Sequence, residues 1–309
     1  MKHFTETKKV IQSAMCAEII HTEDMHMRET FHMIYDIFSL SFMVRAFVTG
    51  MLVALCASLL GVNLVLKRYS MIGDGLSHVG FGALAVAAAM NAAPLKVAIP
   101  VVIITAILLL RLSENGMLKG DSAIAIVSSS ALAFGVLIVS LSSSGVNLNS
   151  YMFGSIYAVG RSDMVLSIIL SVSVILLYAA FYNKMFAVTF DENFARATGT
   201  HVGIYNMITA CLTAVTIVIG MRLVGSLLIS SLIVFPPLTA MRVCKTYRKV
   251  VLVSAVSGVL CVVAGIILSF VLDAPASACI VLTDLAVYVI ACAVGAIKKY
   301  TGRKRAANL

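Results

Sequence analysis

Apolar residues fall into blocks of about twenty, separated by short knots of Lys, Arg, Gly, Ser and Asp. Crossing the hydrocarbon core of a bilayer takes ~20 predominantly apolar helical residues, so each block predicts a membrane-spanning helix. The blocks place helices near residues 44–66, 72–92, 94–112, 121–141, 163–183, 203–220, 223–242, 249–272 and 276–297. The fold class is all-α, a polytopic membrane protein with about eight or nine transmembrane helices. The short gap at Met221 and Arg222 leaves both counts open, because it suits either a hairpin of two full spans or a re-entrant segment. Between the fourth and fifth blocks, residues 142–157 mix Gly, Ser and Asn with aromatics, which predicts a loop with a partial helix.

Composition sharpens this picture. Of 309 residues, 61% are hydrophobic and 12% charged, with mean hydropathy +1.02. A soluble chain runs about 45–50% apolar and about 25% charged, so a soluble globular domain is excluded. Once the spans are placed, no length remains for an ATPase or a receptor domain, and either would have to be another polypeptide. The net charge of +9 would suggest nucleic acid in a soluble chain. Here it reads as topology, and no nucleic-acid partner is expected. Lys298, Lys299, Arg303, Lys304 and Arg305 crowd the end of the chain, with no acidic residue after Asp284. By the positive-inside rule that end is cytoplasmic. Counting back through the spans, the same side receives Arg242, Lys245, Arg248 and Lys249, then Lys184 and Arg196, Arg111 and Lys119, and Lys67 and Arg68. The expected location is the cytoplasmic (plasma) membrane, multi-pass.

Three regions follow: a polar leader over residues 1–32, a transmembrane domain over 33–297 and a basic cytoplasmic tail over 298–309. The leader holds His3, His21, His26 and His32, four of the six histidines, and no spanning run. It reads as a poorly ordered extension, with Met33 the natural beginning; the alternative is a metal-collecting segment built on His21, Glu23, Asp24 and His26. Seven cysteines lie scattered without a C-x-x-C pair, so neither a disulfide framework nor a zinc knuckle is indicated.

Ionisable groups inside bilayer-spanning helices are expensive and therefore functional candidates. Of the acidic residues beyond the leader, only Asp74 and Asp284 fall clearly within predicted spans. Asp74 lies in Gly73-Asp-Gly-Leu-Ser-His-Val-Gly-Phe-Gly82, and His78 follows it by four residues. On a helix those side chains share a face with Cβ atoms about 5–6 Å apart, within reach of one divalent first-row ion such as zinc or manganese. The alternative is a helix-start cap or a simple pair. The surrounding Gly73, Gly75, Gly80 and Gly82 permit close helix approach. Asp284 has no His or Lys at helical spacing and reads as a structural carboxylate facing neighbouring helices, with a pathway role the alternative. In Phe190-Asp-Glu-Asn-Phe-Ala-Arg-Ala-Thr-Gly199, Asp191 is a candidate N-cap, Glu192 suits the first turn and Gly199 ends a short helix. That shape fits either a groove on a partner subunit or an ordinary connector.

From about Met33 to Ala296 the chain resembles the permeases of the zinc, manganese and iron class of ABC transporters. Four segments in order carry the likeness: Leu60-Gly-Val-Asn-Leu-Val-Leu-Lys-Arg-Tyr-Ser-Met-Ile-Gly-Asp-Gly-Leu-Ser-His78, Ser150-Tyr-Met-Phe-Gly-Ser-Ile156, Phe190 to Gly199, and Arg222-Leu-Val-Gly-Ser-Leu-Leu-Ile-Ser-Ser-Leu-Ile-Val-Phe-Pro236. The resemblance implies a homodimeric pathway through membrane lipid, cytoplasmic ABC ATPase subunits and an extracytoplasmic metal-binding protein. It maps Asp74 and His78 onto the residues that meet the metal, and the segment containing Asp191, Glu192, Ala195, Arg196 and Gly199 onto the helix that couples to the ATPase. Pro237 and Asp284 depart from the family pattern. The chain is not expected to be an enzyme: it has no P-loop motif, no permanent cofactor is expected, and ATP would be used by the partner subunit, with zinc or manganese the transported ion. The rival class, a secondary metal-ion transporter driven by an ion gradient, predicts paired carboxylates in matching broken helices of an inverted repeat; the sequence has neither. A membrane scaffold without transport has no need of an Asp and a His within a span.

Overall fold

The computed structural model describes residues 41–90, 92–114, 120–141, 154 and 160–307. The polar leader, with its His-rich group, and nearly all of the expected loop over 142–157 lie outside the described residues. From Ala46 to Leu309 the chain forms one compact unit; the unit before it, Met1–Arg45, contributes only the first turn of α1 to the described residues.

Helices account for nearly everything described, and no strand occurs among the described residues. In chain order they are α1 (Ser41–Leu66), α2 (Ile72–Ala89), α3 (Pro94–Glu114), α4 (Gly120–Leu141), α5 (Arg161–Phe190), α6 (Glu192–Ala197), α7 (Val202–Val224), α8 (Ser226–Val243), α9 (Tyr247–Leu272) and α10 (Ala276–Ala307). Eight are long and apolar enough to cross a membrane, while the apolar stretch of α8, Leu228–Val243, is shorter. Among the described residues the open count thus becomes eight full-length apolar helices and one short one. The 18 residues of α8 rise about 27 Å, just under a ~30 Å hydrocarbon core.

Burial sorts the helices into a centre and a periphery. The spanning window of α2 is 72% buried, that of α4 only 11%. α4 shows Ile126, Phe134 and Leu137 outward, and α10 shows Leu282, Val289 and Ile290, as lipid-facing surfaces should. Apart from Asp74 and His78, α2 has apolar or small residues all round and is covered on nearly every side, as such helices are. Its glycines set how close the neighbours come. A Cβ on Gly75 would meet Ile124 of α4 at 2.6 Å, one on Gly82 the Ala131 carbonyl oxygen of α4 at 2.8 Å, and one on Gly80 the Met221 side chain of α7 at 2.7 Å. α8 carries Pro236 and Pro237 in its interior. Pro237 lacks the N–H that the Ile233 carbonyl would accept, and α1 presents Gly61 to that carbonyl, where any side chain would collide.

α5 outruns its expected span of 163–183. Its 30 residues rise about 45 Å, well beyond the hydrocarbon core. An aromatic stripe at four-residue spacing, Tyr178, Tyr182, Phe186 and Phe190, stabilises the extension by packing on Tyr247 of α9. The ring centroids of Phe186 and Phe190 lie 4.9 and 5.7 Å from that of Tyr247. The Tyr247 hydroxyl donates to Asn63 Oδ1 of α1 at 2.6 Å, and the Tyr178 hydroxyl lies 3.2 Å from it. α10 also outruns its window: the segment assigned to a tail continues as helix through Ala307.

Candidate functional site

α2 begins after a tight turn in which Arg68 adopts a left-handed conformation (φ 61°). Because the helix starts at Ile72, Asp74 lies in its first turn and His78 about 9 Å along a helix of about 27 Å. The turn from Arg68 to Met71 consumes four residues without helical rise, so His78 lies less than two turns into α2. Asp74 does not cap: α2 has no side-chain N-cap bond. Its carboxylate suits the positive end of the helix dipole.

The two side chains come together as the spacing predicts. His78 Nε2 stands 3.7 Å from Asp74 Oδ2, with the imidazole 19% and the carboxylate 43% exposed. That separation is too long for a hydrogen bond. It is close to the ~3.4 Å that separates two ligands of a tetrahedral ion with bonds of about 2.0–2.2 Å. On α2, positions 74, 78 and 86 are the partly exposed ones at four-residue spacing, with buried Gly82 between them. The accessible stripe of an otherwise covered helix therefore carries the carboxylate and the imidazole. Among the described residues no third His, Cys, Asp or Glu joins them.

Sequence reasoning missed Ser230. Its hydroxyl donates to Asp74 Oδ1 at 3.3 Å, orienting the carboxylate so that Oδ2 faces His78. The Ser230-Ser231 pair inside an apolar run was the available signal. Both are half-buried, with Val234 and Phe235 continuing the same partly exposed side of α8. Gly225, immediately before α8, has φ +94° and ψ 159°, a region essentially confined to glycine. Gly225→Ala is expected to cost about 1–3 kcal/mol, read as a lower melting temperature of the purified protein. An unchanged melting curve would show that this junction accepts a side chain.

The segment after α5 folds as α6. Asp191 Oδ1 accepts the Phe194 N–H at 2.9 Å, the N-cap expected. The Gly199 N–H bonds the Arg196 carbonyl and the Thr200 N–H the Ala195 carbonyl, with Gly199 at φ +78°, a Schellman termination. Lys67, at the end of α1, donates to Glu192 Oε1 at 2.9 Å and also bonds Asn206 of α7. Burial pushes the Glu192 carboxyl up, but the Lys67 hydrogen bond and charge, with Asn206 and Arg196, more than reverse this and hold it below its ordinary value. The contact also places the α1–α2 turn and the α5–α7 connection on one face, as the charge count required. Ala195 is fully buried against Val188 and Val202, whereas Phe194 and the Arg196 side chain are 64% and 65% exposed. The outward surface of α6 is thus Phe194 and Arg196, and Ala195 belongs to the chain's own packing.

Asp284 does not join the pair. It is 2% exposed and lies beside the Cys261 thiol of α9. Its Oδ2 has no hydrogen-bond partner among the described residues. It faces a neighbouring helix, as a structural carboxylate would.

Several relatives of this chain are named for metal transport. The chain is 27% identical to the manganese import system permease protein ScaB of Streptococcus gordonii, over 85% of this chain and 95% of that one. It is 30% identical to the high-affinity zinc uptake system membrane protein ZnuB of Buchnera aphidicola, over 81% and 95%. The solved structure of PsaBC from Streptococcus pneumoniae in complex with Fab superposes with a TM-score of 0.77 at 27% identity, covering 85% of this chain and 95% of that one. Residues 39–295 match the sequence model of the ABC 3 transport family, and the chain belongs to that family, as a metal ABC transporter permease.

Proposed function

We propose that this chain is the membrane subunit of an ATP-driven importer that carries a divalent first-row metal, zinc or manganese or iron, across the cytoplasmic membrane. Two copies form the pathway, a separate cytoplasmic ABC ATPase binds α6, and an extracytoplasmic protein delivers the ion. The observation that carries this reading is the Asp74–His78 pair, 3.7 Å apart on the one accessible stripe of α2. Few protein ligands suit an ion in transit, because an ion held as in a closed four-ligand site leaves too slowly. Water or groups from the second copy complete the shell. The manganese and zinc proteins among the relatives fit a site of one carboxylate and one imidazole, a set that either ion accepts.

The face bearing Lys67, Arg111, Arg196 and the α8–α9 connection is cytoplasmic, in line with positive-inside topology. Co-expressed with its ATPase, the chain is expected to purify as a complex of two permease and two ATPase subunits. In proteoliposomes that complex should accumulate metal only with ATP. Uptake at full rate by this chain alone, driven by a proton or sodium gradient, would assign it to the rival secondary-transporter class.

A further inference from the structure

A second feature lies on the same face, away from Asp74 and His78. The C-terminal end of α3, the end of α6 and the start of α7 enclose an open cavity of about 580 Å³. Three groups that can carry positive charge line it: Arg111, Arg196 and His201. Arg111 and His201 make no ion pair among the described residues, and Arg196 has only a long contact of 3.9 Å with Glu192, whose other oxygen Lys67 already holds. α7 starts here with no side-chain cap. The N–H groups of Val202 and Gly203, which no helical turn can satisfy, therefore stand at the cavity wall and add the positive end of the helix dipole.

Thr200 and Gly199 also line the cavity, and the remaining wall is apolar. Ile107, Ile204 and Met207 line it, and Ile104 and Leu108 continue the exposed apolar side of α3 away from Arg111. Space is available: a Cβ on Gly203 would meet nothing within 4 Å. A cationic rim over an apolar, outward-facing groove at the end of two spanning helices matches a molecule with a phosphate at one end and a hydrocarbon chain at the other. Basic pockets between transmembrane helices on the cytoplasmic side bind anionic headgroups for this reason. An acidic loop of a protein partner would satisfy the rim but leave the groove unfilled.

We infer that this cavity binds an anionic phospholipid of the cytoplasmic leaflet, its phosphate on Arg111, His201 and the α7 N-terminus, with Arg196 at the border shared with the ATPase surface, and an acyl chain along α3 and α7. The leaflet, though not the lipid chemistry, rests on the orientation proposed above. The lipid bridges α3 to the α6–α7 connection, next to the surface offered to the ATPase.

The test incubates the full-length protein in detergent with equal amounts of phosphatidylglycerol and phosphatidylcholine and reads retained lipid by native mass spectrometry. Wild type should retain phosphatidylglycerol preferentially. Arg111→Gln should cut the preference about fivefold, the effect of one basic side chain near a charged headgroup. Gly203→Phe, which fills the open space, should displace the lipid, while Gly203→Ala should keep it. No preference in wild type, or a preference that neither Arg111→Gln nor Gly203→Phe alters, overturns the inference. Displacement of lipid by millimolar inorganic phosphate would make this a free-anion site and overturns the lipid assignment. Loss of ATPase co-purification in Arg111→Gln with lipid preference intact would give the cavity to the protein partner instead. Labelling of Thr200→Cys by an impermeant maleimide separates the two readings. Reaction from outside intact cells would contradict the orientation while leaving the lipid preference standing.

Discussion

Asp74→Asn and His78→Ala are each expected to reduce metal uptake at least about tenfold at equal membrane abundance, one decade corresponding to about 1.4 kcal/mol of lost differential binding. Asp74→Asn keeps the shape and removes the charge; His78→Ala removes the nitrogen that stands 3.7 Å from Oδ2. The Asp74 carboxylate is 43% and the His78 imidazole 19% exposed, and Asp74 meets α8 through the Ser230 hydroxyl. α2 is held by its glycines and apolar residues against α4, α7 and α8, so assembly should survive. Action of both residues on one ion predicts a double variant little worse than either single one, whereas independent structural roles would add. Ser230→Ala frees Asp74 Oδ1 without touching the ion, and a partner that orients a ligand is worth about 10–100-fold in metal affinity. Its loss should appear in the apparent affinity for metal more than in the maximal rate. Radiometal uptake by vesicles of matched permease content measures all four variants, and normal uptake by either single variant would remove the site.

Phe194→Ala should uncouple the machine. Phe194 projects from a helix capped at both ends and tied to α1 by the Lys67–Glu192 contact, so an exposed aromatic is presented on a rigid base. Aromatic anchors of this kind are worth about 2 kcal/mol or more at protein interfaces, which is about a thirtyfold loss of ATPase association. Transport should fall with it, while the melting temperature of the permease alone stays unchanged, because Phe194 contributes little to internal packing. Ala195→Trp is a different experiment: it drives an indole into the contact with Val188 and Val202 and should lower permease stability itself. Gly199→Val places a β-branched residue at φ +78°, where it is strained, and should unravel the turn into α7. Full ATPase association by Phe194→Ala would move the docking surface away from α6.

The parts of the fold set by composition could be read along the chain. Each spanning window lies close to its apolar block, and Asp191 and Gly199 bound α6 because capping chemistry acts within a few residues. Asp74 and His78 meet because a four-residue step on a helix fixes their separation wherever the helix sits. What depended on distant partners was not legible. Lys67 finds Glu192 across 125 residues, and Ser230 finds Asp74 across 156. The extension of α5 to Phe190 depends on Tyr247 of another helix. Ala195 looks like a surface residue of a polar segment, yet α6 turns it inward, because the apolar contacts with Val188 and Val202 decide which side faces the protein. The position of His78 along α2 depended on where that helix starts, which the turn at Arg68 sets and periodicity alone does not.

The central claim is that a metal ion in transit touches Asp74 and His78, and ion preference tests it more directly than loss of uptake does. Replacing imidazole by thiolate favours softer ions, so His78→Cys should raise the ratio of cadmium to manganese uptake by the complete complex relative to wild type. A side chain with only a structural role would lower both rates together. A ratio that rises in His78→Cys and not in Ser77→Cys, one residue away and buried against the helix, is the result this account predicts; an unchanged ratio in an active His78→Cys transporter would contradict it.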